Sequence, residues 1–448
     1  MKQHLQDAFR PLTDGSFQFC ARVFLAGVVF GAGIAHQARA DVAPIQVEKQ
    51  VVQTPDYRGE FLDRSTVTGD WGGARQELAN AGITLTAELT QVYQGVVAGG
   101  IDSGSEYMGR GQTTLDFDTS KMGLWPGGVF TVMAEGNFGQ GLTRNTGSLL
   151  GVNANELFPE IENGYVLPQV TYTQFFSPEF GFALGKFATL SKTTGDMNEF
   201  AHGTGTRQFL NPALSFNPVI ALTMPYSTLG ATVIYAPTSK WISSFGAFDP
   251  HGDPSSSGLD ALFENGATFA AQSRYETRFF GLLGHQLLGG TYSSSDYVDL
   301  DQRAANLIFP GLPVQKASGS WSAYWNADQY FYQPDSSVDR GVGVFARFGK
   351  SDGQANPIEH FASFGIGGKG VFPCRENDSF GVGYYHAWSA DTRITTTTGF
   401  GDAQGVEMYY EVALTPAIMI APDIQWVAPS QNRVDSSWNL GARLYTSF

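Results

Sequence analysis

Cysteine is almost missing from this chain: its 448 residues include only Cys20 and Cys374. Cys20 lies in a leader described below, so one thiol is left in the mature protein. An internal disulfide and a cysteine-based metal site are both excluded. Basic side chains are scarce as well, with 27 Lys and Arg against 42 Asp and Glu. That balance argues against nucleic acid or an anionic membrane surface as partner. Long apolar runs are missing too. Beyond the leader nothing approaches the roughly 18 continuous apolar residues of a membrane-crossing helix, the nearest being Ala417–Ala421 and its flanks. Catalytic motifs are equally sparse. His202, His251, His285, His360 and His386 stand in no HExxH pattern and beside no G-x-S-x-G stretch. "GTGTRQ" and "GIGGKG" fail the G-x-x-x-x-G-K-[ST] pattern of a phosphate cradle and read as strand and loop glycines. No catalytic residue, cofactor or metal is expected.

The first forty residues place the chain. Lys2, Arg10 and Arg22 precede an apolar stretch, Val23 to Ala35, and Ala38-Arg39-Ala40 is a small-x-small cleavage site. This pattern predicts a secretory signal over 1–40, with Asp41 opening the mature chain. A stretch of about 13 apolar residues is too short for a membrane anchor, and Cys20 precedes it, which argues against a lipidated N-terminus. Cleavage removes four basic and two acidic residues, leaving 23 against 40, a net charge of −17.

What the chain has in quantity is glycine (54 residues) and aromatics (13%), with only 15% charged residues. A chain this aromatic and this poor in charge needs an apolar surrounding, yet it offers no apolar helix. A transmembrane antiparallel β-barrel reconciles the two, because only alternate residues meet lipid. The alternation is present. Ile83, Leu85, Ala87 and Leu89 interleave with Thr84, Thr86, Glu88 and Thr90. Phe130, Val132, Ala134 and Phe138 oppose Thr131, Glu135 and Asn137, and Val342, Val344, Ala346 and Phe348 oppose Arg347. Ile418, Ile420, Ile424 and Trp426 oppose Asp423 and Gln425. A one-residue slip would put charge into lipid at about 2–4 kcal/mol for a mid-plane Arg, so register is strongly specified.

About sixteen such segments run from 83–93 to 438–448, all β in class. Short links alternate with longer ones, the latter including 94–111, 139–164, 188–228 and 293–319, as periplasmic turns and external loops should. The last strand, "WNLGARLYTSF", ends on Phe448 and resembles the signal by which outer-membrane barrels are inserted. A soluble all-β protein would also alternate, but it rarely needs so many long loops on one side. Before the first strand, Ala74, Leu78 and Ala81 fall at helical spacing and Gly82 is a good stop. The expected organisation is a signal peptide (1–40), a periplasmic segment with a short helix (41–82) and an outer-membrane barrel (83–448).

Several stretches resemble the OprB-type carbohydrate-selective porins: "GDWGGARQELANAGI" (69–83), "FARFGKSDGQANPIEHFASFGIGGKGVFPCRENDSFGVGYY" (345–385), and "YYEVALTPAIMIAPDIQWVAPS" (409–430) with the terminal "GARLYTSF". "FFGLLGHQLLGGTYSS" (279–294) and "RQFLNPALSFNP" (207–218) add support. Residues 41–60 fall outside the resemblance, and "FPCRENDSF" carries a Cys where a small residue is expected. The resemblance implies a sixteen-stranded outer-membrane channel through which monosaccharides, glucose above all, diffuse into the periplasm. It also implies that Trp71–Gly82 is the periplasmic element preceding the first strand.

A sugar is neutral and polyhydroxylated, so a selective pore needs hydrogen-bonding side chains and apolar faces, with binding weak enough for exit. The long 188–228 loop carries Asp196, Glu199, His202, Arg207 and Gln208 and is expected to fold into the lumen as a constriction, the other reading being an external lid. Alternation nominates lumen-wall residues: Glu88, Asp116, Asp118, Glu135, Arg274, Glu276 and Arg278. On later strands it nominates Asn326, Asp328, Arg347, Asp423, Gln425 and Arg443. Each of these also reads as an ordinary solvated wall residue. Trp321 and Trp325 read as lipid-side or girdle aromatics. The expected partners are outer-membrane lipid and lipopolysaccharide, neutral sugars, and the barrel assembly machinery through Phe448; a homo-oligomer stays open. Two other functions fit the same architecture: a cation-preferring porin without sugar selectivity, and an outer-membrane barrel enzyme, which no motif supports.

Overall fold

The computed structural model describes residues 56–157, 165–190, 198–334 and 340–448. The predicted leader lies outside these residues, as does Asp196. Sixteen antiparallel strands close into one barrel, each paired with its sequence neighbours and the last with the first. They are β1 (Ile83–Gly100), β2 (Gly104–Asp118), β3 (Gly128–Gly139), β4 (Val166–Ser177), β5 (Phe180–Ala188) and β6 (Ser227–Thr238). Then come β7 (Trp241–Phe248), β8 (Thr268–Phe279), β9 (Leu282–Val298), β10 (Lys316–Tyr332) and β11 (Gly341–Ser351). The barrel ends with β12 (Ile358–Lys369), β13 (Ser379–Ser389), β14 (Ala403–Thr415), β15 (Ile418–Ala428) and β16 (Asp435–Ser447). Closure leaves no edge, so the ladder satisfies the backbone polar groups that hydrocarbon cannot.

The alternation read from the sequence sets the two faces. On β11, Gly343, Phe345 and Arg347 turn inward and are buried, while Val344 and Phe348 are exposed outside. Trp321 is exposed on the outer face of β10, and Trp325 on the same face donates from Nε1 to Gln286 Oε1 at 2.9 Å.

Two expectations need correction. The link 94–111 is not a long loop: β1 and β2 pair as far as Val96 with Gly104, and the chain reverses over 101–103. Alternation lapses there because apolar residues stand on both faces, Val96 and Met108 inward and Val97 and Tyr107 outward, among glycines, but backbone pairing does not require it; Gly99 and Gly100, at φ 71° and 75°, begin the reversal. Similarly β9 and β10 outrun their apolar segments, shortening the link between them from 293–319 to 299–315. The longest connections still all gather at one rim, which also carries the short links 101–103, 352–357 and 429–434.

The segment before β1 seals the barrel seam. Helix α1 (Ala74–Asn80) forms where the spacing places it, but its buried face is Arg75 and Ala79, and Leu78 is 43% exposed. The reason is Arg75. Its Nη2 donates to Leu85 O of β1 and to Phe448 O, each at 2.8 Å, and its guanidinium lies 4.1 Å from the Tyr57 ring centroid. Pairing of β1 with β16 runs from Glu88 with Ser447 onward. The first residues of β1 therefore extend past the end of β16, and Arg75 supplies a donor to that stretch. Val67 N–H donates to Ser447 O at 2.8 Å beside it. Trp71, Gly72 and Gly73, at φ 52°, 70° and 101°, set the bend from which Arg75 reaches the seam.

Candidate functional site

The candidate site is the barrel interior, and one loop divides it. Residues 198–226 run inside the barrel, held mainly by the wall from β10 to β16, with further contacts from Val92 of β1 and Met108 of β2 to Leu210 and from Thr268 of β8 and Thr291 of β9 to Thr223. At the entry, Asn198 Nδ2 donates to Asn326 Oδ1 at 2.7 Å and Ala327 O at 3.0 Å, and the Glu199 N–H donates to Asp328 Oδ2 at 3.3 Å. In mid-loop, Glu407 accepts the N–H groups of Leu210 and Asn211 at 2.6 and 2.7 Å. Arg207 Nε donates to Glu411 Oε1 at 2.6 Å, while Arg443 joins Glu411 Oε2 at 3.2 Å to Gly205 O at 3.1 Å. Farther on, Arg347 donates to the carbonyls of Leu214 (3.1 Å), Ser215 (3.3 Å) and Ala201. Charged wall groups thus serve as caps for loop backbone whose own secondary structure is limited to the short helical turns Pro212–Ser215 and Pro218–Ile220. Buried backbone needs such partners, and those to charged groups are the stronger kind.

Apolar packing completes the docking. Phe200, Phe209, Leu214 and Val219 form one core with Tyr330, Phe345, Tyr385 and Tyr409. Phe209 meets Tyr409 and Phe345 edge-on, with centroids 5.0 and 5.4 Å apart. The inward glycines of β11–β13 make room for it. A Cβ at Gly343 would stand 2.2 Å from the Phe200 ring, and one at Gly381 would stand 2.8 Å from that of Phe209. The "GVGVFARFG" and "FGVGYY" patterns are therefore the loop's footprint. The 140–157 connection buttresses it, with the Ala154 N–H on Leu210 O at 2.7 Å and Gln425 Nε2 on Val152 O at 2.9 Å.

The other half of the wall stays open. A cavity of about 630 Å³ lies between the loop and the inner face of β1–β9. In its lining Arg110 donates to Glu135 Oε2 (2.6 and 3.1 Å) and Gln112 Oε1 (3.0 Å), and Tyr226 donates to Glu135 Oε1 at 2.8 Å. Burial pushes the Tyr226 hydroxyl well above the usual phenol range, so it remains a donor. Opposite, Arg274 reaches Glu199 Oε1 at 3.4 Å. Toward the short-turn rim the lining passes into Thr114, Thr131, Thr171, Thr173 and Thr232 among apolar side chains.

The nominated residues accordingly fall into groups. Glu88, Asp116 and Arg274 line the cavity, with Asp116 Oδ1 accepting from Thr131 at 2.6 Å. Glu135 is buried under Arg110 and Tyr226. Asn326, Asp328, Arg347, Asp423, Gln425 and Arg443 face inward but are buried beneath the loops. Asp328 Oδ1 also meets His285 Nδ1 at 2.8 Å, and Gln425 bridges Asp423 and Asn211. Glu276 and Arg278 pair with each other at 3.0 Å near the short-turn rim. Asp118 needs correction as a wall residue: it is 3% exposed and caps its own turn, accepting from the N–H groups of Ser120 (2.9 Å) and Lys121 (3.2 Å). On the loop, Arg207 joins the wall, whereas Gln208 closes a local turn by accepting from the His202 N–H (2.7 Å) and donating to Glu199 O (2.8 Å).

Sequence reasoning missed Arg110, His285, Glu407, Glu411 and Tyr226. Arg110 and His285 fell in stretches read as links. Glu407 and Glu411 alternate with Met408, Tyr410 and Val412 in β14, a signal that could have found them.

The sequence model described as carbohydrate-selective porin, OprB family, matches residues 102–448. Porin QuiX of Acinetobacter baylyi is 24% identical over 425 residues, covering 86% of this chain and 94% of that protein. Porin B of Pseudomonas aeruginosa is 21% identical over 424 residues, covering 85% and 90%. Among solved structures, the high-pH structure of Pseudomonas putida OprB superposes with a TM-score of 0.74 at 21% identity, covering 87% of this chain and all of that one.

Proposed function

From the premise that this chain belongs to the carbohydrate-selective porin family OprB, and is thus an integral outer-membrane channel for sugars, we propose how it passes them. Family and fold are those of a channel rather than an enzyme. The short-turn rim, with the 56–82 segment and Phe448, faces the periplasm, and the long loops face outward. The loop docked on β10–β16 restricts passage to the β1–β9 side. The solute is a monosaccharide of glucose size. At the constriction, Gln112, Tyr226 and Arg274 offer donors and acceptors to the solute, the buried Arg110–Glu135 pair fixes Gln112 and Tyr226 from behind, and the threonines below carry the hydroxylated solute on with weak contacts. The observation that carries this reading is the asymmetric filling of the barrel. It leaves a channel with polar groups at its neck and mixed hydroxyl and apolar walls beneath.

The experiment is conductance of the purified channel in a planar bilayer, titrated with glucose. Concentration-dependent block supports a sugar-binding path; unchanged conductance up to high concentration points to an open, non-selective pore. Glu88 and Asp116 on the cavity wall favour cations among permeating ions, so cation preference accompanies sugar passage here. A leader cleaved after Ala40 and recognition of the Phe448 end by the assembly machinery complete the proposal. Mass measurement of the exported chain and insertion of a Phe448→Ser variant test them.

A further inference from the structure

Between the constriction and the periplasmic mouth, the channel wall carries apolar side chains that the docked loop does not cover. Phe175 on β4 turns inward and is half-buried, whereas Phe176 beside it points outward. Phe175 pairs with Gly181 of β5. A Cβ at Gly181 would stand 2.7 Å from Phe175 Cδ1 and 3.0 Å from Cε1, so the ring lies over the glycine backbone where another side chain would project. Gly181 in turn pairs with Ile234 of β6, which pairs with Ser244 of β7. Ile242 of β7, 44% exposed, extends the surface to Arg274 of β8. Thr173 puts a hydroxyl next to the ring on the same face.

A water-filled lumen gives such side chains no reason to be there, since apolar area left in water forgoes about 25 cal/mol per Å². A solute with an apolar face does. We propose that Phe175, backed by Gly181 and flanked by Ile234 and Ile242, is a ring platform at the periplasmic end of the channel. It takes the C–H face of a pyranose, while Thr173 and Ser244 meet the hydroxyls at the ring edge. The platform rests on the sugar-channel reading and refines it. It discriminates cyclic sugars from open-chain polyols of equal hydrogen-bonding capacity, because only a ring presents a flat apolar face.

The test is block of ion current by glucose and by sorbitol, added from the periplasmic side, for the wild type, Phe175→Ala, Phe175→Leu and Phe175→Trp. The expected result is a half-blocking glucose concentration about three- to tenfold higher for the Ala and Leu variants. The Trp variant stays near wild type, sorbitol block is the same in all four, and ionic conductance changes little. Phe175→Leu keeps an apolar side chain of similar bulk, so a loss shared by both variants is not a folding defect. If the wild type binds glucose and the Ala and Leu variants bind it equally well, the platform is wrong and the sugar channel stands. If the wild type shows no block by glucose, the sugar reading falls and the platform with it.

Discussion

The two halves of the barrel wall use the same alternating pattern for different ends. From β10 to β16 the inward charges Arg347, Glu407 and Arg443 hold loop backbone, Glu411 holds the Arg207 side chain, and none of the four meets bulk water. From β1 to β9 the inward groups Glu88, Asp116, Arg274 and the threonines line a cavity. The lesson is that an inward polar residue in a barrel is not thereby a solute contact. Its role depends on what is packed against it, and glycines mark the packed half because a loop can approach only where side chains are missing.

The largest effect that sharpens this contrast is expected at Glu407. Glu407→Ala strands the buried N–H groups of Leu210 and Asn211, at a cost of about 2–4 kcal/mol. Denaturant unfolding in detergent reads the loss, and single-channel conductance rises as the loop loosens. Next comes Gly381→Val, which forces a side chain against Phe209 and Tyr409. Overpacking costs about 1–3 kcal/mol, and thermal unfolding shows it. On the open half the outcome inverts. Glu88→Gln with Asp116→Asn leaves stability within about 0.5 kcal/mol, while the cation-to-anion permeability ratio, read from reversal potentials across a salt gradient, falls toward unity. A large stability loss there would erase the distinction between the halves.

Much of the fold was legible in the sequence because lipid enforces alternation residue by residue. All sixteen strands coincide with apolar alternating segments. Strand ends were not legible: around the pairing of Gln94 with Glu106 the inward Val96 and Met108 are buried against Leu142 and Leu210 of the loops, so apolar residues stand on both faces and the alternation is lost. The helix before β1 was read from its apolar spacing, yet Arg75 decides its buried face, since a guanidinium that satisfies the seam outweighs a leucine at the surface. The site was legible only as an inward face. Loop docking depends on contacts across more than a hundred residues of chain, such as Asn198 with Asn326 and Arg207 with Glu411, and no local pattern records them. The glycine runs of β11–β13 carried that information in a form that reads as strand composition until the loop is seen against them.

The central claim is that solutes pass along β1–β9 and not along β10–β16. Single cysteines placed at Thr131, on the open wall, and at Ser363, buried on the inner face of β12, test it in a Cys374→Ser background with a charged, water-soluble thiol reagent. The reagent should reduce the current quickly for Thr131→Cys and leave Ser363→Cys untouched. Equal modification at both positions would contradict the account.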